Sequence, residues 1–169
     1  MGMSITLEQN AIAVTQCADA INDKFGGTGI NADIVQHSNA KKYSFVRVVS
    51  PPQHWQALAK WMKYDMGVNY CSMITGTHYP EGPDERGWGL VYHLLRQPIT
   101  NQRPDTSTVY VAEKMLGSQI PVEFEILISL PNNDTPSVPT VQNVWVGADW
   151  NEKETWDLVG IQFEGHENM

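Results

Sequence analysis

The sequence predicts an α+β domain of two layers, with helices packed on one face of a mixed β-sheet. Three observations predict it. Two segments repeat apolar residues at helical spacing. Five others read as strands, by alternation or by short apolar runs between turn signals. The two kinds are interleaved in the order α-β-β-α-β-β-β, followed by a short C-terminal helix and loop, which suits helices laid on one sheet. With 169 residues, 41% of them apolar, the chain can build one core, and residues 1–169 are read as a single domain.

Residues 4–25 form the first helix, because Ile5, Ile12, Ala13, Cys17, Ala20, Ile21 and Phe25 recur near its period. Ser4 is placed to cap its start, and Gly26-Gly27 to end it. "NADIVQHS" and "KKYSFVRVVS" form a strand pair joined through Asn39-Ala40. In the second, Tyr43, Phe45, Arg47 and Val49 alternate against Ser44, Val46 and Val48. "SPPQHWQALAKWMKYDMG" is the second helix, with Ser50 as candidate cap and prolines in its first turn. Trp55, Leu58, Ala59 and Met62 make its apolar stripe, and Gly67 stops it.

"VNYCSMITGTHY" and "WGLVYHLLRQ" are strands separated by the turn-rich loop "PEGPDERG". Residues 98–119 make an irregular excursion, too long for a tight hairpin turn. "IPVEFEILISLP" resumes the sheet, with Val122, Phe124, Ile126 and Ile128 on one face and Glu123 and Glu125 on the other. "NNDTPSVP" is a loop, and residues 141–145 make a short apolar turn of helix.

Nineteen acidic against eleven basic side chains give a net charge of −8, which argues against binding the phosphates of nucleic acid. No apolar run is long enough to span a bilayer. The N-terminus lacks the basic and apolar regions of a secretory signal, so the expected compartment is cytoplasmic. Two cysteines, Cys17 and Cys71, are too few for a disulfide framework or an iron–sulfur cluster and read as buried thiols. The glycines at residues 26–29 precede a strand and lack dinucleotide-binding spacing. No phosphate loop, nucleophile elbow or zinc-protease motif is present. His37, His54, His78 and His93 are scattered, with none at ligand spacing to another.

"ADWNEKETWDLVGIQFEGH", residues 148–166, concentrates acidic and aromatic side chains. Asp149 and Glu152 have the spacing of an acidic capping box at the start of a helix over residues 150–159. Lys153 and Asp157 are placed to pair, and Gly160 to close the helix. A metal or hydrolytic site drawn from Glu154, Asp157 and His166 is the contrasting possibility, resting on carboxylate–histidine density alone. Trp145, Trp150 and Trp156 favour a structural part, since large aromatics mark cores and protein–protein hot spots.

The ordered run Pro136, Val138, Trp145, Ala148, Trp150, Glu152-Lys153-Glu154, Asp157, Gly160-Ile161 and Phe163-Glu164-Gly165-His166 resembles the signature of one family of respiratory complex I proteins. That family is the thirty-kilodalton subunit of NADH:quinone oxidoreductases. "VYHLL" at residues 91–95 is similar to a strand of the same family, and residues before Pro51 add nothing. Lys153 stands for the family's usual arginine, Val159 for an aromatic residue and Glu167 for a proline. Residues 98–119 look like an insertion, and the chain is expected to lack the family's C-terminal tail beyond Met169.

The resemblance implies a non-catalytic subunit of the peripheral arm, without cofactor or metal. It would dock on the large, hydrogenase-like catalytic subunit beside other peripheral-arm subunits, on the cytoplasmic face of the inner membrane, with no membrane insertion of its own. It further implies that Trp145, Trp150, Glu152, Glu154, Trp156, Asp157, Gly160, Phe163, Glu164, Gly165 and His166 form a docking and folding element. The equivalent subunit of an energy-converting hydrogenase stays open as the parent complex.

Overall fold

The computed structural model describes residues 5–80, 87–97, 120–131 and 133–169. Residues 98–119, expected to be an insertion, most of the "PEGPDERG" loop and Ser4 lie outside them. Helix α1 (Leu7–Phe25) begins later than expected, because Thr6 rather than Ser4 caps it. The Thr6 hydroxyl accepts the Gln9 N–H at 3.1 Å, and the Gln9 side chain accepts the Thr6 N–H at 2.9 Å. This reciprocal box satisfies two N–H groups that the first turn leaves free.

The buried side of α1 runs through Asn10, Ala13, Val14, Cys17, Ala18 and Ile21. Ile12, expected on that stripe, is exposed, since it lies about 100° round the helix from Ala13. Two asparagines fasten this helix to the sheet. The Asn10 side chain exchanges two hydrogen bonds with the Ser44 backbone, at 3.0 and 2.7 Å, and Asn22 does the same with Ala32 at 2.9 and 2.8 Å.

Strands β1 (Asn31–Gln36) and β2 (Ser44–Val49) form the expected antiparallel hairpin, with Asn31 opposite Val49. Helix α2 (Pro52–Tyr64) follows and buries Trp55, Leu58, Ala59 and Met62, as its stripe predicts. Ser50 does not cap it. Its hydroxyl donates to the Pro51 carbonyl, and Pro51 occupies the cap position with no side-chain bond. Gly67 turns the chain with φ +80°, a left-handed conformation that costs glycine little.

Strands β3 (Tyr70–His78) and β4 (Trp88–Arg96) pair antiparallel, and β5 (Val122–Leu130) inserts between β4 and β2. The sheet order is β1-β2-β5-β4-β3, with only the β2–β5 pair parallel. Val122, Phe124, Ile126 and Ile128 are buried, in register with Arg96, Leu94, Tyr92 and Leu90 on β4. On the opposite face Arg47 pairs with Glu125 at 2.6 Å and His37 with Glu123 at 2.7 Å.

Helices α1, α2 and the C-terminal α3 (Val146–Val159) pack on the apolar face. Trp55 of α2 meets Tyr92 with ring centroids 4.5 Å apart, and Cys17 and Cys71 are both buried there. Part of the segment read as a loop and a stretch just after Gly160 form a second, two-stranded parallel sheet, β6 (Ser137–Pro139) with β7 (Gln162–Glu164). Three-residue strands are too short to show alternation, and Pro136 before β6 and Pro139 at its end signal a turn instead.

Candidate functional site

Helix α3 carries most of the acidic and aromatic signature, and its start decides which way each residue faces. The turn at residues 141–145 runs straight into the helix: the N–H groups of Val144 and Trp145 both donate to the Val141 carbonyl, at 2.8 and 3.2 Å. The Lys63 ammonium adds a hydrogen bond to the Val144 carbonyl. The helix therefore begins at Val146, four residues before the expected position, with Trp145 as cap. Asp149 lies inside the helix, so the expected Asp149–Glu152 capping box does not form. Lys153 pairs with Asp149 at 3.1 Å, back along the helix, and not with Asp157. Gly160 does close the helix, at φ +91°, with its N–H on the Trp156 carbonyl at 2.9 Å.

The N-terminal turn of α3 lies unusually close to β3. A Cβ added to Gly147 would stand 2.7 Å from the Cys71 carbonyl oxygen, where backbone cannot give way. Alanine is about 1 kcal/mol better than glycine inside a helix, yet overpacking of this kind costs about 1–3 kcal/mol. Gly147→Ala is therefore expected to lower the urea midpoint. A variant at least as stable as wild type would show that this close approach is not needed.

Glu152 is completely buried, a rare position for a carboxylate. One carboxylate oxygen accepts the Val141 N–H at 2.9 Å and the other accepts the Thr140 hydroxyl. His166, whose side chain is fully enclosed, places Nε2 3.8 Å from Glu152 and 3.2 Å from Asp149. The Asn168 N–H donates to His166 Nδ1 at 3.2 Å, so in the neutral ring the hydrogen sits on Nε2, facing the carboxylates.

Burial pushes the Glu152 carboxyl up from 4.5 to about 7. The hydrogen bonds from Thr140 and Val141 oppose that rise, and the Asp149 charge adds to it. Burial, and then the Glu152 charge, push the Cys71 thiol up to about 12 and raise Tyr92 well above its ordinary value.

The second sheet presents His166 to this cluster. Phe163 is buried beneath it, Glu164 accepts the Ser137 hydroxyl at 2.5 Å, and the Glu164 carbonyl accepts the Thr140 N–H at 3.0 Å. Gly165, at φ +81°, then turns the chain toward His166. Glu152 thus joins three pieces: α3, the turn after β6 and His166, the second residue after β7. Thr140 and Asp149 are members of this site that sequence reasoning did not place with His166. Asp149 belongs to the acidic segment itself, where its spacing suggested a cap, and the only signal at Thr140 was its nearness to that segment.

Glu154 and Asp157 are exposed. Glu154 lies about 200° round the helix from Glu152, so the triad drawn from Glu154, Asp157 and His166 is not brought together. Among the described residues, no three His, Cys, Asp or Glu side chains are grouped to hold a metal ion.

The tryptophans divide as well. Trp145 is in the core, donating from Nε1 to the Val68 carbonyl at 2.8 Å and stacked on Trp55 with centroids 6.1 Å apart. Trp150 and Trp156 face outward. Val146, Trp150, Glu154 and Leu158 form one ridge along α3, and its apolar members are 91%, 71% and 84% exposed. The Lys153 ammonium rests 5.3 Å from the Trp150 ring centre. No described helix is long and apolar enough to cross a membrane.

The family model described as "Respiratory-chain NADH dehydrogenase, 30 Kd subunit" matches residues 48–169. Among relatives, the chain is 30% identical over 122 residues to the second C-type subunit of NADH-quinone oxidoreductase from Rhizobium etli, covering 70% of this chain and 51% of that protein. It is 48% identical over 115 residues to the J-type subunit of NAD(P)H-quinone oxidoreductase from Prochlorococcus marinus, covering 66% and 55%. The chain thus spans about half the length of the curated relatives it matches. A solved structure, the trypsin-resistant fragment of Nqo5, superposes with a TM-score of 0.58 at 23% identity, covering 95% of this chain and 99% of the fragment. At that identity the likeness speaks to the fold.

Proposed function

The chain belongs to the family of the 30 Kd subunit of respiratory-chain NADH dehydrogenase, and from that premise we propose that it is a non-catalytic structural subunit in the peripheral arm of a quinone-reducing complex. It docks on the large catalytic subunit and supports electron transfer coupled to proton translocation, at the cytoplasmic face of the membrane. The observation that carries this reading is the outer ridge of α3. A helix clamped on its inner side by Glu152 presents Val146, Trp150 and Leu158 to solvent. An exposed tryptophan between aliphatic neighbours is the composition of an interface hot spot. Glu154 within the ridge and Asp157 beside it are exposed and suit lysines or arginines on the partner, which set orientation and association rate.

Co-expression with the large subunit of the same complex tests the proposal. The wild-type chain is expected to co-purify with it at one to one. Trp150→Glu combined with Leu158→Glu is expected to weaken the association at least tenfold, while the isolated variant keeps its unfolding midpoint. No association of the wild type, or an undiminished complex with the double variant, sinks it.

A further inference from the structure

Docking at the outer ridge of α3 makes no use of Glu152, which lies on the inner side of the same helix. We propose that the Glu152 carboxyl is a proton-binding clamp, whose occupancy by one proton sets how α3 is fastened to the turn at residues 140–142 and to His166. The geometry serves both protonation states. With the carboxyl ionised, its two oxygens take the Val141 N–H and the Thr140 hydroxyl. With the carboxyl protonated, the Thr140 hydroxyl turns from donor to acceptor, a rotation open to a hydroxyl group. Thr140 Oγ1 already accepts the Gln142 N–H at 3.1 Å, so the turn stays bonded while the polarity of its link to α3 reverses.

The groups around Glu152 make the proton consequential. Asp149 faces it from α3, His166 from the end of the chain, Tyr92 from β4 and Cys71 from β3. Lys153 offsets Asp149 from the solvent side. His166 Nε2 has two carboxylates within reach, Asp149 at 3.2 Å and Glu152 at 3.8 Å. An ionised Glu152 competes for that N–H, and a protonated one leaves it to Asp149. Proton uptake is therefore expected to shift His166 toward Asp149, which stands beside Trp150 at the base of the outer ridge. The clamp is a property of this chain alone and does not depend on the docking reading.

The carboxyl value of about 7, against 4.5 for the ordinary group, gives the sign of the linkage. Between those values the folded chain holds a proton that the unfolded chain has lost. The contribution to stability is fully present below 4.5 and is lost as pH rises through about 7.

The experiment is a pH titration of the isotope-labelled full chain by NMR, following the Glu152 side-chain carboxyl carbon and the Val141 and Gln142 amides. A single step is expected in all three signals, with a midpoint within about one unit of 7. Glu152→Gln presents a carbonyl to Val141 and an amide donor to Thr140, and is expected to abolish the amide step. His166→Gln is expected to keep it. Thr140→Val removes a bond to Glu152 in both states, and since the charge-assisted bond to the ionised form is the stronger, it is expected to move the midpoint upward. A wild-type carboxyl carbon that titrates near 4.5 overturns the proposal without any variant. So does an amide step that survives Glu152→Gln or disappears with His166→Gln, or a midpoint that Thr140→Val moves downward.

Discussion

Trp145→Ala is expected to lose about 4 kcal/mol of unfolding free energy, the usual scale for emptying a buried tryptophan site. Three contributions add at this position. The indole fills the space where α3 begins, its ring stacks on Trp55, and its N–H satisfies the Val68 carbonyl at 2.8 Å. Removing it opens a cavity and leaves a buried carbonyl without its donor, a further cost of about 1–3 kcal/mol if nothing replaces it. Trp150→Ala, five residues along, is expected to change stability by no more than about 0.5 kcal/mol, because the side chain is mostly in solvent. Urea unfolding of the two variants side by side is the measurement. A Trp145→Ala loss below about 1 kcal/mol would contradict the core position of that ring.

Glu152→Ala is expected to cost about 3 kcal/mol at pH 6, from the void and from two buried polar groups left without their partner. Those groups are the Val141 N–H and the Thr140 hydroxyl. The cost has a pH dependence whose sign follows from the raised carboxyl. Wild type loses stability as pH rises through about 7, whereas the alanine variant has no such group to ionise. The gap between the two proteins is therefore expected to be smaller at pH 8 than at pH 6. A gap that widens with pH would mean that Glu152 is stabilised as a carboxylate in the folded chain. Glu154→Ala serves as the control, since Glu154 is exposed and is expected to be nearly neutral.

The elements legible in the sequence were those whose causes are local. Trp55, Leu58, Ala59 and Met62 repeat at the helical period and are buried together on α2. Val122, Phe124, Ile126 and Ile128 alternate with Glu123 and Glu125, and that alternation separates the two faces of β5. Gly160 closes α3 as its position suggests. Helix starts were less legible, because several polar residues near each start compete for the cap. Thr6 prevails at α1 through its reciprocal bond with Gln9. At α3 no side chain caps at all, since the preceding turn already supplies the first carbonyl. Strands β6 and β7 were not legible, because each pairs only with a segment more than twenty residues away.

Residue types and spacing alone determined the α+β class, the order of the main elements and the family signature from Pro136 to His166. The tertiary structure alone decided what each signature residue does. Glu152 and Glu154 are the same amino acid two positions apart, the first read as part of a cap, the second as a possible ligand, and both as part of a docking element. Burial separates them: the early start of α3 and the β6–β7 pair enclose Glu152 with Thr140 and His166 and leave Glu154 in water. Trp145 and Trp150 divide in the same way. A side chain's role depends on whether its environment is water or protein, and that environment is built by segments distant in the chain, which no local pattern records.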